Sequence, residues 1–505
     1  MKSLKYIFSL LLGAVMLSSC GEDFMKVEVT EYLDGETATE VFASDPTALY
    51  NLIDGMYSWL VTFDVSGNSA HDDFSFMSVL HSTDLMGEDI ALSASHWFGY
   101  DYQHDNGMFN YRRTIVDWST FYTLVSKCNE VLDMFTELPT DNIDSKGIVG
   151  QAFALRAFSY YYLVQLYQHP VKEDGTPNLD APAVPMYYSV LDKSLDASLT
   201  DEVIEACKGR NTVAKVYAQI ESDINHAIDL LEGYDRGTNK NYVDQSVAYG
   251  IKARYCLLSQ QWQEAADAAK KAQAGGKLIY GLNDGFYDIS STEWMWGFDH
   301  STETQTAYAS FFSHISSLGP GYAGLAYSTR LIDKKLYESI PVNDTRKKWF
   351  NGPEGNDNAS TAGAKLPYAN IKFGYISGWT MDYMYMRVAE MYLIEAEALA
   401  HMGKEADAAT AIKPLMQARI SGWDKASMSV EDVYQQRRIE LWGEGFSYFD
   451  LKRLNKGINR AYDGNNHLAG YQLVKDPLAA SWRYQIPRQE MQENTYITEE
   501  EQNKY

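Results

Sequence analysis

Residues 245–273, QSVAYGIKARYCLLSQQWQEAADAAKKAQ, and 387–419, RVAEMYLIEAEALAHMGKEADAATAIKPLMQAR, are two versions of one pattern. Tyr249, Ala253, Ala265 and Ala272 stand at successive offsets of four, twelve and seven, and Tyr392, Ala396, Ala408 and Leu415 repeat those offsets. Each set brackets a turn, Gln260-Gln261-Trp262 in one and Met402-Gly403-Lys404 in the other. Small residues at these positions let two antiparallel helices approach closely. This is the tetratricopeptide pattern, with about 34 residues per helix pair. One pair cannot bury its apolar face alone, so further, degenerate copies are expected upstream. Helical periodicity over 150–168 and 212–232 predicts one such pair. Its connection, 170–200, carries Pro170, Pro177, Pro182 and Pro185 and reads as a loop.

Outward from the repeats, 46–63 and 111–138 also read as helical. Two stretches do not. Residues 64–110 are rich in Gly, Ser, Asp, His and aromatics without a clean period and read as loops. Residues 275–385 read as long aromatic loops with a short strand or two. They include EWMWGF (293–298), SFFSHISSLGPGYAGLAY (310–327) and a Gly/Asn/Pro-rich run at 351–370.

The N-terminus, MKSLKYIFSLLLGAVMLSSC, has a positive start at Lys2 and Lys5 and an apolar run from Tyr6 to Met16. That run is too short to span a bilayer. Leu17-Ser18-Ser19-Cys20 matches a bacterial lipobox, so residues 1–19 are expected to be a signal peptide and Cys20 the lipidated residue. Residues 20–45 follow as an acidic tether and 46–505 as a single domain. The formal charge of −25 disfavours nucleic-acid binding, because such a surface repels phosphates. Cys128, Cys207 and Cys256 are odd in number and widely spaced, which fits buried free thiols rather than disulfides or zinc. The 37 tyrosines and 11 tryptophans can fill a core or form flat faces for sugars and peptides.

Taken in order, several motifs resemble the SusD/RagB family of outer-membrane nutrient-binding lipoproteins. They are the lipobox, LRAFSYYYLVQLY (155–167) with AVPM (183–186), and the helix pair around QWQEAADAAKKA (261–272). RVAEMYLIEAEALAHMGK (387–404), RRIELWGEGFSYFDLKR (437–453) and YQIPRQEMQEN (484–494) complete the set. The resemblance spans nearly the whole chain. Ser447 departs from it, since the family usually has arginine there, and this puts a local salt bridge in doubt. The resemblance implies a mostly α fold: four tetratricopeptide-like helix pairs with an irregular, loop-rich ligand-binding half near 64–110 and 275–385. It also implies a lipid-anchored protein on the outer-membrane surface that captures oligosaccharides and passes them to a SusC-like TonB-dependent transporter. Peptides are the ligands in the RagB branch. Glu22 and Asp23, just after Cys20, are similar to surface-export signals of such bacteria. No enzymatic activity and no cofactor are implied.

The residues themselves suggest where a ligand would sit. Sugars stack their C–H faces on rings and bond their hydroxyls to polar side chains. Trp97, Tyr100 and Tyr102 cluster beside Gly99 with acidic neighbours Asp101 and Asp105, and Asp84 precedes them. By resemblance, Trp296, Asp299 and His300 in the insert complete the site. Trp294 and Trp296 alternate as in a strand, so at least one face is expected to be core. His71, His81, His96 and His104 fall among acids in one loop region, but without short fixed spacing, so no metal site is expected. Glu440 and Glu444 lie one helical turn apart among Arg437, Arg438, Lys452 and Arg453. They read as ion pairs rather than as a glycosidase acid and base. A glycosidase and a protein-binding scaffold remain the readings from other classes.

Overall fold

The computed structural model describes residues 50–505. The signal peptide, Cys20 and the tether lie outside them. Helix α1 (Tyr50–Trp59) leads into α2 (Phe76–Leu85), strand β1 (Ile90–Leu92) and the long helices α3 (Arg112–Leu132), α4 (Ile143–Tyr167) and α5 (Val213–Leu230). The repeat pair α6 (Gln245–Leu258) and α7 (Trp262–Ala272) follows. The insert supplies β2 (Trp294–Phe298), β3 (Arg330–Ile332) and β4 (Tyr383–Arg387). The second repeat pair is α8 (Val388–His401) and α9 (Glu405–Arg419), with α10 (Val430–Glu440) and α11 (Ser447–Arg453) after it. From α3 to α9 each of these helices packs on the next, so the helical half is a stack of successive neighbours. The described residues form one compact unit. Among the described residues no helix is long and apolar enough to cross a membrane.

Local chemistry explains where the helices begin. Asn142, Thr212 and Asp244 each accept a backbone N–H at the start of α4, α5 and α6, and Ser429 with Asp432 forms a capping box on α10. The sequence reading started α4 too late, at 150. In the fold a Cβ on Gly147 would run into the Tyr234 ring and one on Gly150 into Leu231, so bare backbone is what lets α4 sit close to the segment after α5. The proposed α4–α5 pairing around the proline-rich connection is present.

The 64–110 segment is less irregular than its composition suggests. It contains α2, all ten of whose residues are buried. A helix surrounded on every side shows no amphipathic period, so its sequence resembles that of a loop. The insert holds three short strands in two antiparallel pairs: β1 with β3, and β2 with β4. β2 is buried on both faces, so Trp294 and Trp296 are both core.

A neutral ion network ties the insert to the helices. Glu293, Asp344, Glu440 and Glu444 meet Arg346, Lys372, Arg387 and Arg419, and all eight are nearly or fully buried. Glu440 alone accepts from Arg387 Nη1 (2.6 Å), Arg419 Nη2 (2.8 Å) and Arg346 Nη1 (3.3 Å). The three guanidinium groups hold its carboxyl well below the usual range against the opposing effect of burial. The glutamates are thus held in ion pairs as expected, but not by Arg437, Arg438 or Arg453, which pair with Asp450, Asp89 and Glu397 instead. Cys128, Cys207 and Cys256 are free and buried.

Candidate functional site

The pairing of β1 with β3 decides which loops meet. Ile90, Ala91 and Leu92 face Ile332, Leu331 and Arg330. The zipper continues outward: Ser93 N–H donates to Thr329 O (3.0 Å), Thr329 N–H to Ser93 Oγ (2.8 Å), and Ser328 Oγ to Ala94 O (2.7 Å). Residues 93–96 are thereby held against 322–329.

At the tip, Gly99 N–H returns to His96 O (3.0 Å), and Phe98 adopts a left-handed φ of 69°. Such a conformation in a bulky residue is strained and persists only where its surroundings enforce it. Here the Phe98 ring is buried between the guanidinium groups of Arg113 (5.1 Å) and Arg330 (5.8 Å) and packs edge-on against His81 and His314. Turning Phe98 inward leaves its neighbours outward: Trp97 is half-buried, His96 exposed, and Tyr100 67 % exposed.

Across the seam, Tyr322 anchors a line of rings. Its hydroxyl hydrogen-bonds His71 Nδ1 (2.7 Å), and the His71 ring stacks on Trp97 (5.7 Å, 22°). His314 stacks beneath Tyr322 (4.8 Å, 12°) and donates from Nε2 to His71 O (2.8 Å). Burial, with the Arg330 charge adding to it, holds His314 well below its ordinary value and therefore neutral. His96 lies over Tyr322 (5.0 Å) and Tyr327 (5.9 Å), while Tyr308 touches Tyr322 (5.8 Å) and Trp379 (6.1 Å). Tyr308 and Tyr327 are exposed. The result is an aromatic surface running from Trp97 to Trp379.

Beside Trp97 opens a cavity of about 490 Å³, lined by Trp97, Tyr100, Tyr111, Asp72, Asp105 and Arg112 among others. Arg112 pairs with Asp72 (2.5 Å) while remaining one-third exposed, so its fork can still donate outward. Arg113 is buried against Asp101 (2.9 Å), and Asn106 also donates to that carboxylate (2.5 Å), which stiffens the wall. The wall therefore offers rings, exposed carboxylate at Asp105 and guanidinium N–H groups together.

Of the seven residues expected to touch ligand, the structure brings Trp97 and Tyr100 to this cavity. Tyr102 lies on the inner side of the same turn, fully buried, with its hydroxyl on His467 and Arg460 over its ring (4.0 Å). Asp84 is buried at the end of α2, where it accepts the N–H groups of Gly445 (2.9 Å) and Ser447 (3.0 Å). No cation among the described residues pairs with it, and burial pushes it up to about 7. Trp296 is fully buried between Phe158 (5.0 Å) and Tyr385 (5.1 Å), its indole donating to Asn241 O. His300 is buried against Tyr383 (4.4 Å). Asp299 is exposed but borders a separate cavity with Tyr234, Arg236 and Lys240. The physical reason is the β2–β4 pairing, which draws 294–300 inward.

Tyr308, Tyr322, Tyr327, Trp379 and Arg112 were not singled out from the sequence. The available signal was ring-bearing residues in GPGYAGLAY and SGWT, glycine-rich stretches with no period demanding a core aromatic. Among the described residues no group of His, Cys, Asp and Glu could hold a metal ion.

The family described as starch-binding, associating with outer membrane, matches residues 31–257, and the SusD family matches residues 335–505. A SusD-like protein of Formosa agariphila is 21% identical over 387 residues, 68% of this chain and 73% of that protein. The structure of a SusD-like carbohydrate binding protein from Bacteroides vulgatus superposes with a TM-score of 0.74 at 25% identity, covering 91% of this chain and 98% of that one. Surface glycan-binding protein A from Bacteroides thetaiotaomicron, in complex with laminarihexaose, superposes with a TM-score of 0.65 at 16% identity, covering 91% and 99%.

Proposed function

The chain belongs to the SusD family, and from that premise we propose that it is a non-catalytic binding protein that captures oligosaccharides on the aromatic surface between Trp97 and Trp379. The observation that carries this reading is the seam itself. Two loops more than two hundred residues apart are zippered so that their rings line one face, with Arg112 and Asp105 beside them. Flat rings suit the C–H faces of pyranoses, and the polar groups suit their hydroxyls. In the fuller form of the proposal, Cys20 carries the lipid and the protein sits at the outer-membrane surface. There it hands its cargo to a SusC-like TonB-dependent transporter.

Titration calorimetry of the soluble protein against a glycan panel that includes laminarihexaose, and against a peptide panel, tests the reading. A glycan is expected to bind. Trp97→Ala and Tyr322→Ala should each weaken it about tenfold, or ~1.4 kcal/mol, with the thermal melt preserved. Unchanged affinity in both variants, or binding confined to the peptides, would refute it. Asp299→Ala should leave affinity unchanged.

A further inference from the structure

A second aromatic groove, of about 430 Å³, lies farther along α3 and shares no lining residue with the first cavity. Trp118 and Tyr122, one turn apart on α3, are in contact at 4.4 Å, and Tyr187 meets Tyr122 edge-on at 5.8 Å. Trp118 is largely covered and forms the floor, while Tyr122 and Tyr187 are half-buried and offer ring surface.

The charge of this groove is one-sided. Glu130, Asp133 and Glu490 line it, and no lysine, arginine or histidine does among the described residues. Among the described residues none of the three acids is in an ion pair, although Asp133 Oδ1 accepts the Val190 N–H (2.6 Å). Arg156 reaches the wall only at Asn129 Oδ1 (2.7 Å), and its charge is already countered by Asp192 and Asp223. Burial, reinforced by nearby Glu493, pushes Glu490 up, although Asn494 donates to it. An incoming cation would relieve that cost. The first cavity differs, since Arg112 and Arg113 line it and pair with its Asp72 and Asp101.

The groove also lacks a free strand edge. In the 183–187 segment, Ala183 N–H donates to Asn211 O and Met186 N–H to Cys207 O, and Tyr187 N–H donates to Tyr160. The carbonyls of Pro185 and Tyr187 accept from Tyr122 and Asn129. A peptide could not pair its backbone here. A ring-shaped ligand bearing ammonium groups suits the groove better, because stacking and charge are both offered by side chains.

We propose that this groove is a second ligand site, for an oligosaccharide carrying free amino groups. The pyranose face lies on Tyr122 and Tyr187, and an ammonium is held among Glu130, Asp133 and Glu490. The test is calorimetric titration with the tetramer of β-1,4-linked glucosamine and with its fully N-acetylated counterpart, at a pH where the free amines are protonated. The deacetylated tetramer is expected to bind at least about tenfold more tightly. The double variant Glu130→Gln with Asp133→Asn, and separately Tyr187→Ala, should remove that preference, and Trp97→Ala should retain it. A preference that survives both groove changes would be non-specific attraction to an acidic protein and would overturn the proposal. Equal affinity for the two tetramers, loss of the preference in Trp97→Ala, or tighter binding of a lysine tetrapeptide would overturn it as well.

Discussion

Replacing Glu440 by glutamine isolates one charge in the interior. The eight-group network contains four acids and four bases, and Glu440 is fully buried at its centre. The change keeps the shape but leaves one uncompensated positive charge. It also points an amide N–H₂ at three guanidinium groups that are themselves donors. Breaking a buried ion pair by removing one partner costs about 3–5 kcal/mol. Against a typical total stability of roughly 5–15 kcal/mol, that is a large share. The control is Glu431→Gln, whose pair with Lys456 (2.8 Å) is well exposed and is expected to contribute no more than about 1 kcal/mol. Urea denaturation at neutral pH, monitored by tryptophan fluorescence, measures both. A pH series adds a second readout. Because the folded Glu440 carboxyl is held far below its unfolded value, its contribution is complete above the unfolded pKa. It declines as pH falls below that value. Wild type should therefore lose stability on acidification more steeply than Glu440→Gln. A loss within about 1 kcal/mol, equal to that of the Glu431 control, with an unchanged acid limb, would refute the assignment of this network as the tie between insert and helices.

Asp117 presents the opposite titration. It is fully buried on α3, neither carboxylate oxygen has a hydrogen-bond partner among the described residues, and burial pushes it up to about 8. A carboxyl raised on folding lowers stability as pH climbs from its unfolded value toward 8. Asp117→Asn should flatten that decline in urea melts at pH 5 and pH 8, and an identical slope in the variant would count against it. Gly87 packs so closely on Ser447 that an added Cβ would overlap its hydroxyl. Gly87→Ala should cost about 1–3 kcal/mol in the same melts, with most of the loss recovered in Gly87→Ala/Ser447→Gly, and a purely additive double variant would exclude that contact as the cause. Tyr102→Phe should lower the melting temperature slightly through loss of the His467 hydrogen bond while leaving glycan affinity unchanged, and weakened binding would show that the inner face of the turn matters to the ligand.

The helical half was legible because its determinants are local. Small residues at fixed offsets around a turn report on the two helices that contain them, wherever those helices end up. That Glu440 and Glu444 are ion-paired was legible, although the basic neighbours that suggested it pair elsewhere, Arg437 and Arg453 with Asp450 and Glu397 and Arg438 with Glu88 and Asp89. Arg346, Lys372, Arg387 and Arg419, which hold the two glutamates in the fold, were not legible. The α2 helix was hidden because a helix buried on every side carries no period.

The candidate site divides along the same line. Trp97 and Tyr100 could be named from a loop dense in rings and polar groups. Their neighbour Tyr102 has the same chemistry and faces the core, because one turn of helix sends residues two apart to different sides. Trp296 and His300 looked equally suitable, and the packing of Phe158, Tyr385 and Tyr383 decided against them. Tyr322 joins Trp97 through His71 only because β1 pairs with β3 in one register. The sequence by itself determined the repeat scaffold, the family, and the two irregular stretches that carry the proposed site. Which rings of those stretches face solvent, and which meet across the seam, was decided by strand register and burial between segments far apart in the chain, and neither property has a local signature.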